Sequence, residues 1–185
     1  MKRALAVLIA VFLLTGCKNG GSVDRALVLR EQLLKSNGCS FDALITADYG
    51  QYVYTFEMHC AVDRQGDLTF TVTKPETISG ITGRITSEGG KLTFDDQVLA
   101  FEMLADGQIT PVSAPWLLVR SLRSGYIASC GDDDSMTRIG IDDSYREDAI
   151  RLDVWLGTDD LPFRGEILWQ GRRVVSVEVK NFMYV

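Results

Sequence analysis

The chain has 185 residues, 46% hydrophobic and 24% charged, with 19 Lys and Arg against 25 Asp and Glu for a net charge of −6. That balance excludes a disordered polyelectrolyte and argues against docking on nucleic acid, or on anionic lipid through a basic patch. The sequence holds one histidine, so a histidine-based triad, metal site or general base would have to be built on His59 alone.

Lys2 and Arg3 open the chain, Ala4 to Leu14 is an uninterrupted apolar run, and Leu14-Thr15-Gly16 leads into Cys17. A basic start, an apolar stretch and small residues before a fixed point form the layout of a cleavable export signal. The run is too short to span a bilayer, which takes about twenty residues. The segment looks like a bacterial lipoprotein signal peptide. That likeness implies cleavage before Cys17, acylation of Cys17 with palmitate-type chains, and anchorage to the extracytoplasmic face of the cell membrane. The expected division is a signal at 1–16, an acylated anchor and short tether at 17–21, and one domain over 22–185. Losing 1–16 removes Lys2 and Arg3 and no acid, which takes the net charge from −6 to −8.

Ser22 to Lys35 reads as an amphipathic helix, with Ser22 as N-cap, Asp24 in the first turn, and Val23, Ala26, Leu27, Leu33 and Leu34 recurring every three or four positions. Asn37-Gly38 stops it. From Cys39 the period becomes two. Phe41, Ala43, Ile45 and Ala47 alternate with polar residues, Asp48-Tyr49-Gly50-Gln51 offers turn chemistry, and Tyr52, Tyr54, Phe56 and Met58 resume the alternation. A turn centred on Tyr49-Gly50 pairs Ala47 with Tyr52, Ile45 with Tyr54, Ala43 with Phe56 and Phe41 with Met58. It also sets Cys39 opposite Cys60 at a non-hydrogen-bonded position, where Cα atoms lie about 4.5 Å apart. A Cys39–Cys60 disulfide is therefore expected, in a compartment where disulfides persist; a reduced buried pair is the alternative. The same register places Asp42 against Glu57, a like-charge cost.

Further strands are expected at 67–74, 78–87, 91–94 and 98–104, separated by turns at Gln65-Gly66, Glu88-Gly89-Gly90 and Asp95-Asp96. Pro111 to Gly125 breaks the alternation: Ser113 as cap, Pro115 in the first turn, and Leu118, Val119 and Leu122 as an apolar stripe predict a helix lying on the sheet. The period of two returns at 126–130, 136–142, 150–156, 163–169 and 173–182. In the last hairpin a three-residue loop at Gln170-Gly171-Arg172 pairs Ile167 with Val175, Gly165 with Val177 and Phe163 with Val179, and brings Arg164 to Glu178.

No G-x-S-x-G, H-E-x-x-H, paired C-x-x-C or phosphate-binding glycine loop is present, and catalysis is not expected. Asp132-Asp133-Asp134, Asp142-Asp143 and Asp159-Asp160 lack the alternating ligand pattern of a calcium loop and read as solvated turns. No metal or cofactor is expected. The aromatics are spread over most elements, and a curved sheet with few helices leaves two outcomes, an ordinary core or a face open to an apolar guest.

The element order resembles the LolA/LolB/LppX-like superfamily of bacterial envelope proteins. The likeness is carried by Ala26-Leu27-Val28-Leu29-Arg30 leading into Phe41-Asp42-Ala43, by the strand ending in Lys74-Pro75, and by Pro111-Val112-Ser113-Ala114-Pro115-Trp116-Leu117-Leu118. It is also similar to exported acidic lipoproteins of clostridia-type Gram-positive bacteria. The resemblance implies an α+β fold that is mostly antiparallel β: a curved, half-open barrel sheet with the N-terminal and mid-chain helices on its concave face. It further implies a non-enzymatic protein that binds or shields a lipid or acylated ligand, its membrane contact made through the anchor. Tyr54, Phe56, Phe70, Phe101, Trp116, Leu118, Trp155 and Trp169 are then the candidate ligand-lining residues. The alternative is an interaction or structural module that binds another envelope protein and has no ligand cavity.

Overall fold

A computed structural model of the chain describes residues 20–102, 104–105, 108–134, 136–144 and 149–185. The expected signal, the lipidation site Cys17 and most of the tether lie outside these residues. Helix α1 (Gly20–Lys35) is followed by β1 (Gly38–Asp48), β2 (Val53–Asp63), β3 (Leu68–Lys74), β4 (Thr82–Thr86), β5 (Gly89–Phe94), β6 (Gln97–Phe101) and the small hairpin β7 (Leu104–Ala105) and β8 (Gln108–Ile109). Helix α2 (Ala114–Ser124), then β9 (Tyr126–Asp133), β10 (Met136–Asp142), β11 (Arg151–Leu156), β12 (Pro162–Trp169) and β13 (Arg172–Tyr184) complete the chain. No described helix is long and apolar enough to cross a membrane.

Eleven strands form one antiparallel sheet in the order β6-β5-β4-β3-β2-β1-β13-β12-β11-β10-β9. Two meanders are joined where β1 pairs with β13 (Ala43 with Val179, Ile45 with Val177, Ala47 with Val175). The sheet is not closed, and β6 and β9 are its two edges. It is the curved, half-open sheet with two helices on its concave face that the resemblance implied. Alternation decides which side of each strand faces inward: Phe41, Ala43, Ile45, Met58, Cys60, Leu68, Phe70, Ile139, Leu152, Val154, Val175 and Val177 all point to the helices and are buried.

Helix α1 packs with Ala26, Leu29 and Leu33, one face at three- and four-residue spacing, while Val23, Leu27 and Leu34 are exposed. The buried stripe is thus rotated from the expected one. Ser22 sits inside a helix already running at Gly20 and is not its cap. Two arginines fix the helix. Arg25 pairs with Asp160 and donates to Thr137 Oγ1 (2.7 Å) and to the Gly157 carbonyl (2.6 Å). Arg30 donates to the carbonyls of Leu122 (2.7 Å) and Gly125 (2.8 Å) at the end of α2, where helix carbonyls lack intrahelical partners. Helix α2 carries Pro115 in its first turn and ends at Gly125 as expected. Ser113 does not cap it; this hydroxyl is buried and donates back to the Thr110 carbonyl (2.6 Å).

The first hairpin is shifted by two residues from its expected pairing. Tyr49 N–H bonds the Tyr52 carbonyl (3.0 Å), so the turn falls on Gly50-Gln51, with Gly50 at φ 86° and its N–H held by Asp48 Oδ1 (2.7 Å). Ala43 then pairs with Met58, Phe41 with Cys60 and Cys39 with Val62. A two-residue slip keeps every side chain on its face, so charge decides between the two registers. The observed one exchanges the Asp42–Glu57 repulsion for His59 Nδ1 to Asp42 Oδ1 at 2.8 Å, while Glu57 pairs on its other side with Lys74 of β3 at 3.0 Å.

The last hairpin keeps its expected partners Ile167–Val175, Gly165–Val177 and Arg164–Glu178 by a different device. The loop has two residues, Gln170-Gly171, both at positive φ, and a bulge that leaves Val174 unpaired takes up the extra residue. The strand expected over 78–87 begins only at Thr82, after a cis Lys74–Pro75 bond and a 3-10 turn at Glu76–Ile78.

Candidate ligand-binding face

The eight expected lining residues separate into three groups. Phe56, Phe70, Trp116 and Leu118 are buried by the protein itself. Leu118 on α2 seats over Gly165, where an added Cβ would stand 3.0 Å from its Cδ1, so this contact draws the helix onto the sheet. Trp169 is partly buried against the same core. Tyr54 lies at the rim, 51% exposed, its ring 6.4 Å from that of Tyr52 and 6.2 Å from that of Tyr49. Phe101 lies near the edge of the sheet.

Trp155 is on the wrong face. Leu152, Val154 and Leu156 point to the helices, so the alternation sends Trp155 outward together with Asp153. There its indole N–H donates to Asp133 Oδ2 (2.8 Å), and the guanidinium groups of Arg138 and Arg164 lie 5.2 and 5.1 Å from the ring centre. Asp153, with a side chain 3% exposed, accepts from Arg138 (2.6 Å) and Arg151 (3.4 Å). This lattice of charge and indole braces β9–β12 and presents no opening.

Cys39 and Cys60, expected as a cross-strand pair, both lie in the buried core. The two are diagonal, not opposed, and all three described cysteines are free thiols. A diagonal pair stands about 7–8 Å apart, beyond comfortable bridging distance. Burial pushes the Cys39 thiol up to about 12 despite the opposing influence of Arg123, and pushes Cys60 up as well. His59 is exposed and tied to Asp42, whose carboxyl is held below its ordinary value first by the Asn181 amide and then by His59. Of the acidic runs, Asp159 and Asp143 cap the N–H groups of Leu161 (3.1 Å) and Ile150 (2.9 Å), while Asp132 and Asp133 continue β9. Among the described residues no three His, Cys, Asp or Glu gather as metal ligands would.

The face that remains available is the arm formed by β4, β5 and β6. Cross-strand partners on the helix side form two rows. One runs Phe41–Cys60–Phe70–Gly83–Leu92–Leu99, and the other Cys39–Val62–Leu68–Ile85–Gly90–Phe101. Both begin in the core. The helices pack chiefly on β2, β9–β11 and β13, so cover runs out along each row: Phe41 and Phe70 are buried, Leu92 is half-buried, and Leu99 is 60% exposed, with Phe94 beside it at 43%.

Gly83 and Gly90 shape this surface. Added Cβ atoms there would collide with the rings of Phe70 and Phe101, which lie flat across the two glycines. The rings thus floor the arm, and Leu92, Leu99 and Phe94 stand along it. At the edge of the same strands a depression of about 570 Å³ is lined by the charged Arg84, Glu88, Lys91 and Glu102 together with the apolar Ala100 and Phe101. After β6 the chain returns to the sheet centre, where Ile109 is buried and its carbonyl accepts the Tyr49 hydroxyl. Alternation identifies the face of each aromatic, but only the helix positions reveal which of them stay uncovered.

No family model matches the chain, and no curated protein matches it. Solved structures to which it is similar include a putative outer membrane lipoprotein-sorting protein domain from Vibrio parahaemolyticus, at 8% identity and TM-score 0.49 over 89% of this chain and 92% of that one. A LolA superfamily protein from Nitrosomonas europaea has 7% identity and TM-score 0.46 over 85% and 92%. The lipoprotein LppX of Mycobacterium tuberculosis has 13% identity and TM-score 0.43 over 88% and 93%. At such values the likeness is one of outline, and function has to be read from this chain's own side chains.

Proposed function

We propose that the chain is a non-catalytic, extracytoplasmic binding protein, held to the membrane by an acylated Cys17, that takes a lipid or acylated ligand on the uncovered concave face of β4–β6. The observation that carries this reading is the apolar row from Phe41 to Leu99, which starts in the core and runs past the edge of the helical cover. Exposed apolar surface of this continuity is a cost in a monomer unless something occupies it. The ligand would lie along an open ledge rather than inside an enclosed chamber, since four of the eight expected lining residues are consumed by the protein's own core. The absence of catalytic motifs and the engagement of His59 and the described acidic turns in structural hydrogen bonds favour binding over chemistry.

Native mass spectrometry of the purified chain, followed by organic extraction, tests the reading. Near-stoichiometric, non-covalent fatty acid or phospholipid is expected, and Leu99→Glu is expected to remove it. A clean apo mass with no uptake of added dodecanol would overturn it. Anchorage is checked separately: Cys17→Ala should move the protein from the membrane to the soluble fraction.

A second reading, docking of another envelope protein, is favoured by one feature. Strand β6 is a sheet edge in which both Val98 and Leu99 are exposed. Capture of a protein in place of lipid, again lost in Leu99→Glu, would select it.

A further inference from the structure

We infer that the ligand is an anionic amphiphile, whose oxyanion head sits in a groove between the end of α1, the helix α2 and the β2–β3 turn while its chain lies on the arm. The inference rests on the reading of the arm as an acyl-binding face. The groove, about 320 Å³, is walled by Leu34 of α1, by Trp116, Arg120 and Arg123 of α2, and by Asp67 and Ser87 at the strand ends.

Its chemistry points to an acceptor that carries negative charge. In a chain of net charge −6, Arg120 has no acidic partner among the described residues, and its guanidinium lies 4.9 Å from the centre of the Trp116 ring. Arg123 donates to the carbonyls of Asp63 (3.2 Å) and Arg64 (2.7 Å), which positions it without cancelling its charge. The one carboxylate in the wall, Asp67, is already paired with Arg84 at 2.7 Å. Trp116 is 3% exposed, and its buried indole N–H has no acceptor among the described residues, an exception to the rule that buried donors are satisfied. Two cations beside one another suit a carboxylate or phosphate oxygen. Leu34, more than half exposed beside them, suits aliphatic carbon.

Position supports the same assignment. The β2–β3 and β4–β5 turns lie at one end of the meander, and Ser87 belongs to the second of them. Strand β5 starts two residues later at Gly89, and its inward side carries Gly90 under the Phe101 ring, then Leu92, then Phe94. A six-residue strand spans about 20 Å, a distance that a long acyl chain can cover. A head at Arg120 would therefore place its tail on the ledge.

The test follows the indole ¹H–¹⁵N resonance of Trp116, assigned with Trp116→Phe, while the purified chain is titrated with dodecanoate, dodecanol or acetate below micellar concentrations. Dodecanoate is expected to bind at least tenfold more tightly than dodecanol and to shift the Trp116 signal, which dodecanol leaves in place. Arg120→Gln, an exposed change checked for unaltered peak dispersion, should bring the two affinities together without weakening dodecanol. Equal affinities in the unmodified protein, or a Trp116 signal that dodecanoate does not move, would overturn the head-group site. Acetate shifting Trp116 as far as dodecanoate at the same concentration would also overturn it, in favour of a site for free oxyanions. If neither twelve-carbon probe binds, or if Leu99→Glu leaves dodecanol affinity unchanged, the arm itself is refuted.

Discussion

Strands β1–β3 and β4–β6 are written in the same period-two code and lie in the same sheet, yet their inward faces meet different fates. On β1–β3 the inward residues from Cys39 to Ala47, from Phe56 to Val62 and from Leu68 to Val72 are buried. On β4–β6 the rows continue, but the side chains thin to glycines covered by Phe70 and Phe101 and then end in leucine and phenylalanine facing solvent. The difference lies in the cover and not in the strands. Two short helices, pinned by Arg25 and Arg30, span only part of an eleven-stranded sheet, and what they leave bare is the arm.

The sharpest contrast should come from matched leucine truncations. Leu118→Ala, at a site 2% exposed against Gly165, should cost about 3 kcal/mol in urea unfolding. Leu99→Ala should stay within about 0.5 kcal/mol. A comparable loss at Leu99 would mean that the arm is core and the distinction false. Next in size, Asp153→Ala strips the acceptor from Arg138 and Arg151 on the outer face and should cost about 2 kcal/mol by the same measurement.

The buried thiols give a pH signature confined to the covered half. A group whose pKa is raised by folding contributes stability in full below its unfolded value and loses it as pH rises. With Cys39 moved from 9.0 to about 12 by burial, stability should fall as pH climbs from about 9 towards 12. Cys39→Ala/Cys60→Ala should flatten much of that slope, and in the native protein a thiol reagent should label the half-buried Cys130 ahead of either.

The smallest effect concerns Asp42. Its depressed pKa contributes stability that is present above the ordinary carboxylate value and lost as pH falls through the folded one, by a few tenths of a kcal/mol at this half-exposed site. In Asn181→Ala the carboxyl ¹³C titration should move back towards the ordinary value.

Much of the architecture was legible because strands advertise themselves through alternation and turns through glycine and aspartate. The β12–β13 partners follow from the position of the loop, which also brings Arg164 to Glu178, although a bulge at Val174 performs the correction that a longer loop was expected to make. The β1–β2 register was missed because a two-residue slip is invisible to hydrophobic pattern. The polar face holds the missing information, since only one of the two registers takes Asp42 away from Glu57 and gives it to His59. The β1–β13 seam was invisible for a different reason: pairing across nearly the whole chain leaves no local mark, beyond a terminal strand of thirteen residues, longer than the eight of its neighbour β12.

For the candidate face, alternation could assign Phe70 and Leu118 to the inner side but not say that both would be covered. Trp155 stands on the outer face because strand parity, marked by Asp153 two positions earlier, outweighs residue type. The Arg120–Trp116 groove had no sequence signal beyond four residues of helical spacing. It exists only once α1 brings Leu34 and the β2–β3 turn brings Asp67 alongside.

Hydrogen exchange read by mass spectrometry, with and without saturating dodecanoate, tests the central claim most directly. Ligand should slow exchange in peptides covering β4–β6, residues 82–101, and leave β10–β13 unchanged. Protection absent from 82–101, or confined to β9–β13, would contradict the assignment of the uncovered arm as the binding face.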